Sequence, residues 1–192
     1  MSRTGLLGGT FNPPHNGHVA LAARARERFE IERLRVLVSV APPHKRVDVD
    51  AGVRLRLAQL AFPHDDVVRD EHPYSIDTVK GYGDDGVFLV GADQFAKFLT
   101  WRQPDEILEH VRLGVATRPG YPHDGLDRVL QQLRRPDRVE LFEMDPIPIS
   151  SSDIRERAAQ GESIDALVPA AVASEIARLG LYRRDRGYSY SA

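Results

Sequence analysis

The sequence predicts an α/β protein: a doubly wound, Rossmann-like, mostly parallel sheet with helices on both faces. Three observations carry this. Short apolar runs alternate with helix-period stretches along the chain, as strand–helix–strand units do. The run RVLVSV over 35–40 is continuous and rich in β-branched residues, the signature of a strand buried on both sides. Between a short apolar run (Gly5-Leu6-Leu7) and a helical one lies Gly8-Gly9-Thr10-Phe11-Asn12-Pro13-Pro14-His15-Asn16-Gly17-His18. That places a glycine-rich loop where a strand hands over to a helix, at the carboxyl edge where such sheets bind ligands.

Composition sets the outer limits. The chain has 192 residues, 42% hydrophobic and 28% charged, which fits one globular domain with a substantial core. A net charge of -2 makes no electrostatic case for a nucleic-acid partner. Without cysteine there is no disulfide and no thiolate metal site, in keeping with a reducing cytoplasm. The N-terminal apolar run is too short and glycine-broken for a signal peptide, and no run is long enough to span a bilayer.

In order along the chain, Pro13 and Pro14 put the first helix start near Asn16. The helix runs on to Phe29, with Val19, Ala22, Ala23 and Phe29 on its buried face and Arg24, Arg26, Glu27 and Arg28 in solvent. The 35–40 strand follows, and a right-handed crossover makes it parallel to the first. It ends in Ala41-Pro42-Pro43-His44-Lys45-Arg46, three side chains of cationic type at the same edge as the first loop. Helix 51–62 buries Val53, Leu57, Leu60 and Ala61; Val67-Val68 is a short strand; Ser75 caps a helix begun by Tyr74-Ser75-Ile76-Asp77-Thr78-Val79. Gly81-Tyr82-Gly83-Asp84-Asp85-Gly86 has the letters of a dinucleotide fingerprint, but it leaves a helix and enters a strand, so it is a turn.

Strand 87–90 ends in Gly91-Ala92-Asp93, a close backbone approach and an acid at the ligand edge. Asp93 could equally be a helix cap. Trp101, helix 103–110 and strand 113–116 come next, and the strand ends in Thr117-Arg118-Pro119-Gly120-Tyr121. Helix 125–134 (Leu126, Val129, Leu130 and Leu133 inward), strand 139–142 and a closing helix from 168–170 to Tyr182 complete the order. Arg183 to Ala192 reads as a loose tail.

Two loops carry the chemistry. His15 and His18, three apart in the first helical turn, share one face beside N–H groups that already favour anions, a site suited to polyphosphate. The second is Ile149-Ser150-Ser151-Ser152-Asp153-Ile154-Arg155. Capping accounts for the serines but not for an arginine expected in the first turn, where the dipole disfavours cations; a bound phosphate resolves that conflict. The plain alternatives are a glycine turn with two surface histidines and an ordinary helix cap.

Gly-Gly-Thr-Phe-Asn-Pro-Pro-His-Asn-Gly-His resembles the signature of the His-x-Gly-His nucleotidyltransferase superfamily. Pro-Pro-His-Lys, Tyr-Ser-Ile-Asp-Thr, Gly-Ala-Asp followed by Trp101, Arg-Pro-Gly-Tyr and Ile-Ser-Ser-Ser-Asp-Ile-Arg are similar, in order, to blocks of its nicotinate-nucleotide adenylyltransferases, over roughly residues 3–182. The resemblance implies one nucleotidyltransferase domain over 1–182 that joins ATP and nicotinate mononucleotide into a dinucleotide and pyrophosphate in NAD biosynthesis.

It further implies that His15, His18 and Arg155 are catalytic. ATP would be held by Gly8, Gly9, Thr10, Phe11 and His18, by Gly91 and Asp93, and by Ile149, Ser150, Ser151, Ser152 and Arg155. The mononucleotide would meet Lys45, Tyr74, Ser75, Thr78, Trp101 and Arg118. Mg²⁺ would arrive mainly on the ATP phosphates, with no dedicated protein metal site. Location would be cytoplasmic, with no nucleic-acid or membrane partner; self-association is left open. A pantetheine-phosphate or cytidylyl transferase, and a nucleotide-binding regulator without turnover, are the alternatives at this point.

Overall fold

The computed structural model describes residues 3–42, 47–83, 85–122 and 124–183. Six strands, all parallel, form one sheet in the order β3-β2-β1-β4-β5-β6, as the alternating pattern predicts. They are β1 (Arg3–Gly9), β2 (Ile31–Ser39), β3 (Asp66–Asp70), β4 (Gly86–Gly91), β5 (Arg112–Thr117) and β6 (Val139–Glu143). The helices are α1 (Asn16–Phe29), α2 (Ala51–Ala61), α3 (Ser75–Val79), α4 (Ala92–Phe95), α5 (Pro104–His110), α6 (Asp124–Leu130), α7 (Ser151–Gln160) and α8 (Ala170–Leu179).

Alternation along each strand divides the core in two. Leu7, Val36, Val38, Val87 and Leu89 face the layer that holds α1, α2 and α8, where Ala25, Phe29, Leu57 and Ile176 pack. Leu6, Leu37, Phe88, Val90 and Val115 face the opposite layer, with Ile76, Phe95, Ile107 and Leu126 from α3 to α6. Close packing is visible at Gly114 of β5, where a Cβ would lie 2.8 Å from the Phe29 ring. The strand order reverses between β1 and β4, whose carboxyl ends lie side by side. A crevice opens at that point.

Several expected details differ. β2 begins at Ile31 rather than Arg35, because a single left-handed residue, Glu30 (φ 53), turns the end of α1 directly into the strand. On α1 the second buried alanine is Ala25, not Ala23, which is exposed. On α2, Val53 and Leu60 are only half-buried, while Arg54 is 1% exposed. α6 stops at Leu130, although Leu133 still reaches the core through a turn. α8 stops at Leu179, capped by Gly180 in the left-handed conformation (φ 63), so Leu181 and Tyr182 lie beyond it. Ser75 is the first residue of α3 and not its cap: Tyr74 holds the extended cap geometry, and no side chain caps the helix. Gly81, Tyr82 and Asp85 of the glycine stretch before β4 are turn residues, as expected, and Asp84 lies outside the described residues.

Candidate active site

The β1–α1 loop ends in a histidine pair built by the helix start. His15 is the N-cap residue of α1 in extended conformation, and its N–H donates to His18 Nδ1 at 3.1 Å. That bond leaves His18 Nε2 as the N–H donor of the ring. The two rings lie 3.7 Å apart between centroids, with Phe11 against His18 at 5.1 Å. Gly17 makes the pairing possible, since a Cβ there would come within 3.0 Å of His15 Nδ1. Burial pushes the His15 imidazole down to about 4, with Asp153 opposing the shift. Burial, and then the neighbouring His15, take His18 down to about 3. Both rings are therefore neutral hydrogen-bonding groups at neutral pH.

The β6–α7 segment closes over this loop. Ser150 caps α7, its Oγ accepting the Asp153 N–H at 3.1 Å. Ser151 Oγ donates to the Pro13 carbonyl at 2.8 Å. Arg155 falls in the second turn of α7 rather than the first. Helical side chains lean toward the N-terminus, so its guanidinium still reaches the helix start, donating to Asn12 O at 2.8 Å and Ser152 Oγ at 3.2 Å. The dipole conflict inferred from sequence is thus smaller than expected, and the cation still stands at that helix end.

These elements enclose a cavity of about 580 Å³. Gly8, Gly9, Thr10, Phe11, His15 and His18 line one side; Ile149, Ser150, Ser151, Ser152 and Arg155 line another; Gly91 stands at the end of β4. A smaller cavity of about 170 Å³ shares Gly8, Gly9, Leu89, Val90 and Gln94 with it and adds Ser75, Thr78 and Trp101. The two adjoin along these shared residues at the strand reversal.

Other residues singled out from sequence sit outside both linings. The Asp93 carboxylate accepts the Tyr121 hydroxyl at 3.0 Å. Arg118 lies over the Tyr121 ring at 5.7 Å, and Tyr74 carries Arg102 on its face at 4.7 Å. His44 and Lys45 lie outside the described residues, as do 184–192 of the expected tail.

Gln94, Asp70 and His72 at the crevice, and Tyr182 against the β1–α1 loop, were missed from sequence. Gln94 lines both cavities. Asp70 and His72, at the end of β3, line the smaller one; Asp70 accepts from the Thr78 hydroxyl at 2.8 Å and lies 3.0 Å from His72 Nδ1. Their position after a strand at the ligand edge was the available signal. Tyr182 donates to Asn12 Oδ1 at 2.8 Å from 170 residues away, which no local pattern announces.

Among the described residues no helix is long and apolar enough to cross a membrane. The model of the cytidylyltransferase-like family matches residues 6–157. A Bordetella petrii protein named "Probable nicotinate-nucleotide adenylyltransferase" is 41% identical over 95% of this chain and 100% of its own length. One from Bordetella avium with the same name is 37% identical over 95% and 99%. A Plasmodium falciparum nicotinic acid mononucleotide adenylyltransferase, solved in complex with NaAD, shares the fold at a TM-score of 0.73 and 14% identity, covering 95% of this chain and 98% of that one. The chain belongs to the cytidylyltransferase-like family and, within it, to the nicotinate-nucleotide adenylyltransferases.

Proposed function

We propose that this chain transfers the adenylyl group of ATP to nicotinate mononucleotide, giving nicotinate adenine dinucleotide and pyrophosphate. One observation carries the reading beyond family membership: the crevice has two unlike arms. The larger is lined by imidazole, guanidinium and hydroxyl donors at the starts of α1 and α7, and the smaller has Trp101 on its wall. The first suits a polyphosphate, the second a flat ring with polar substituents.

In this reaction a phosphate oxygen of the mononucleotide attacks the α-phosphorus of ATP. The new P–O bond forms as the α–β bridge breaks, and pyrophosphate leaves with the electron pair. The nucleophile is already anionic, so the protein needs no serine or cysteine and no general base. Its work is positioning and charge stabilisation. His18 Nε2 donates to the α-phosphate, held in that tautomer by the His15 N–H. The Ser151 and Ser152 N–H groups at the start of α7, with Arg155, receive the leaving pyrophosphate. Trp101, Thr78 and Ser75 hold the pyridine nucleoside. Lys45 orients the attacking phosphate.

Mg²⁺ is part of the same proposal. The side chains around the larger cavity are mainly donors, which fit phosphate oxygens, whereas Mg²⁺ needs oxygen ligands that the ATP phosphates themselves supply. The reading places the enzyme in the cytoplasm, with small-molecule substrates.

The test is turnover with Mg-ATP and either nicotinate or nicotinamide mononucleotide, measuring dinucleotide and pyrophosphate together. We expect equimolar products with the acid form, and a loss of about 10²–10³-fold in kcat for His18→Ala, the scale set by removing one preorganised donor from an oxyanion. ATP binding without transfer to either acceptor would overturn the substrate assignment. Pantetheine phosphate would be the next acceptor to try.

A further inference from the structure

Arg54, on α2, is the most deeply buried charged side chain of the described residues, at 1% exposed. Among them it forms no ion pair. Its acceptors are four neutral carbonyls: Nη1 donates to Thr10 at 2.8 Å and to Ser39 at 2.7 Å, Nη2 to Val40 at 3.1 Å, and Nε to Val49 at 3.1 Å. Asp50, a carboxylate on the same segment, is committed to capping α2 through the N–H groups of Gly52 and Val53.

The four carbonyls are not scattered. Thr10 follows the end of β1 and lines the larger cavity; Ser39 ends β2 and lines the smaller one; Val40 and Val49 lie on either side of the Pro-Pro-His-Lys stretch. One guanidinium therefore ties the outlets of the neighbouring strands β1 and β2 to each other and to the base of the intervening loop. Burying a cation is costly unless it is well paired. An apolar side chain in its place would avoid the cost of the buried charge but leave these four carbonyls without their donor. What an arginine adds here is a planar fork fixing three segments at set angles, and a buried positive charge without a direct ion pair among the described residues, under a crevice built for phosphates.

We infer that Arg54 is a positioning residue for adenylyl transfer: it fixes the Thr10 and Ser39–Val40 backbone that shapes both arms of the crevice, and the substrate phosphates complete its charge balance. The inference rests on the adenylyl-transfer reading for its kinetics. Burial lowers the guanidinium's affinity for its proton, with the nearby Asp50 carboxylate opposing that shift.

Three variants test it: Arg54→Met, which keeps bulk and loses charge and donors; Arg54→Lys, which keeps charge without the fork; and Leu57→Ala, a fully buried neighbour on α2 that bonds neither strand end. Each is assayed well below its own melting temperature, with kcat and KM for both substrates and the Mg-ATP affinity by calorimetry. Misplacing a site by about an ångström costs on the order of 10²-fold, so Arg54→Met should lose about that in kcat/KM, with weaker Mg-ATP binding. Arg54→Lys should fall in between, and Leu57→Ala should stay within about twofold at a comparable loss of melting temperature. The inference is overturned if the Arg54 variants stay within twofold of the parent, or if Leu57→Ala loses as much as Arg54→Met. Should Arg54→Met not fold, Arg54→Lys against Leu57→Ala decides. Should the parent not use nicotinate mononucleotide, the functional reading fails, while Mg-ATP affinity still judges Arg54.

Discussion

The two edges of the sheet are built from similar residues and do different things with them. At the amino edge a hollow of about 440 Å³ is lined by Arg26, Arg33, Arg35, Asp65 and Asp66. Two of its three arginines are matched by acids: Arg26 pairs with Asp65, and Arg35 with Asp66 at 2.7 Å. At the carboxyl edge Arg54 and Arg155 donate to carbonyls and a serine, and form no ion pair among the described residues. The first edge meets most of its arginine charge with acids of the protein itself. The second keeps two cations, two helix starts and a neutral imidazole pair for a ligand to balance. Where the partners of an arginine are neutral, its charge remains available; a count of charged residues would not tell the edges apart.

The comparison breaks first, if it breaks, at Arg155. Arg155→Met removes the cation at the start of α7, and a charge-assisted hydrogen bond to phosphate is worth roughly 1.5–3 kcal/mol, so kcat/KM for ATP should fall about 10- to 150-fold. Steady-state kinetics at fixed Mg²⁺ measure it. Values near those of the parent would place the polyphosphate elsewhere.

The imidazole pair gives a second, smaller handle through pH. Unfolded histidine titrates near 6.5, and burial holds His15 at about 4 and His18 at about 3 in the fold. Below 6.5 the unfolded chain binds protons that the folded one refuses. The stability held by these neutral rings is therefore complete above pH 6.5 and drains away as pH falls toward 4. Each such ring adds up to about 1.4 kcal/mol per pH unit to the slope. Denaturant unfolding between pH 7 and 4.5 should give a shallower slope for the His15→Ala/His18→Ala double variant than for the parent; equal slopes would mean that the rings are not buried as a neutral pair.

The smallest effect belongs to the amino edge. Arg35 and Asp66 are 41% and 58% exposed in their side chains, and exposed pairs contribute about 0–1 kcal/mol. Arg35→Met and Asp66→Asn should change stability by less than about 1 kcal/mol and kcat/KM by no more than about twofold. A large kinetic loss there would erase the distinction between the edges.

What could be read from sequence follows from how local each feature is. Gly8-Gly9, the two prolines and His-x-Gly-His specify their own turn and helix start, so that loop and the β1–α1 handover were legible residue by residue. The serine run before α7 was legible as a cap. Arg54 was not: an arginine amid helical leucines reads as a solvated position, and its partners are carbonyls up to 44 residues away that carry no side-chain signature. Tyr182 was hidden for the same reason, since Asn12 becomes its partner only after the whole sheet is wound. The Ser75 cap was misplaced because propensity favours serine at that position while the Tyr74 backbone takes the extended geometry.

The most direct measurement is a crystal structure with nicotinate adenine dinucleotide and pyrophosphate bound. The account predicts pyrophosphate between the His15–His18 pair and Arg155 at the start of α7, with the pyridine ring in the smaller cavity beside Trp101. Phosphate density at the ion-paired amino edge, or a pyridine ring lying away from Trp101, would contradict it.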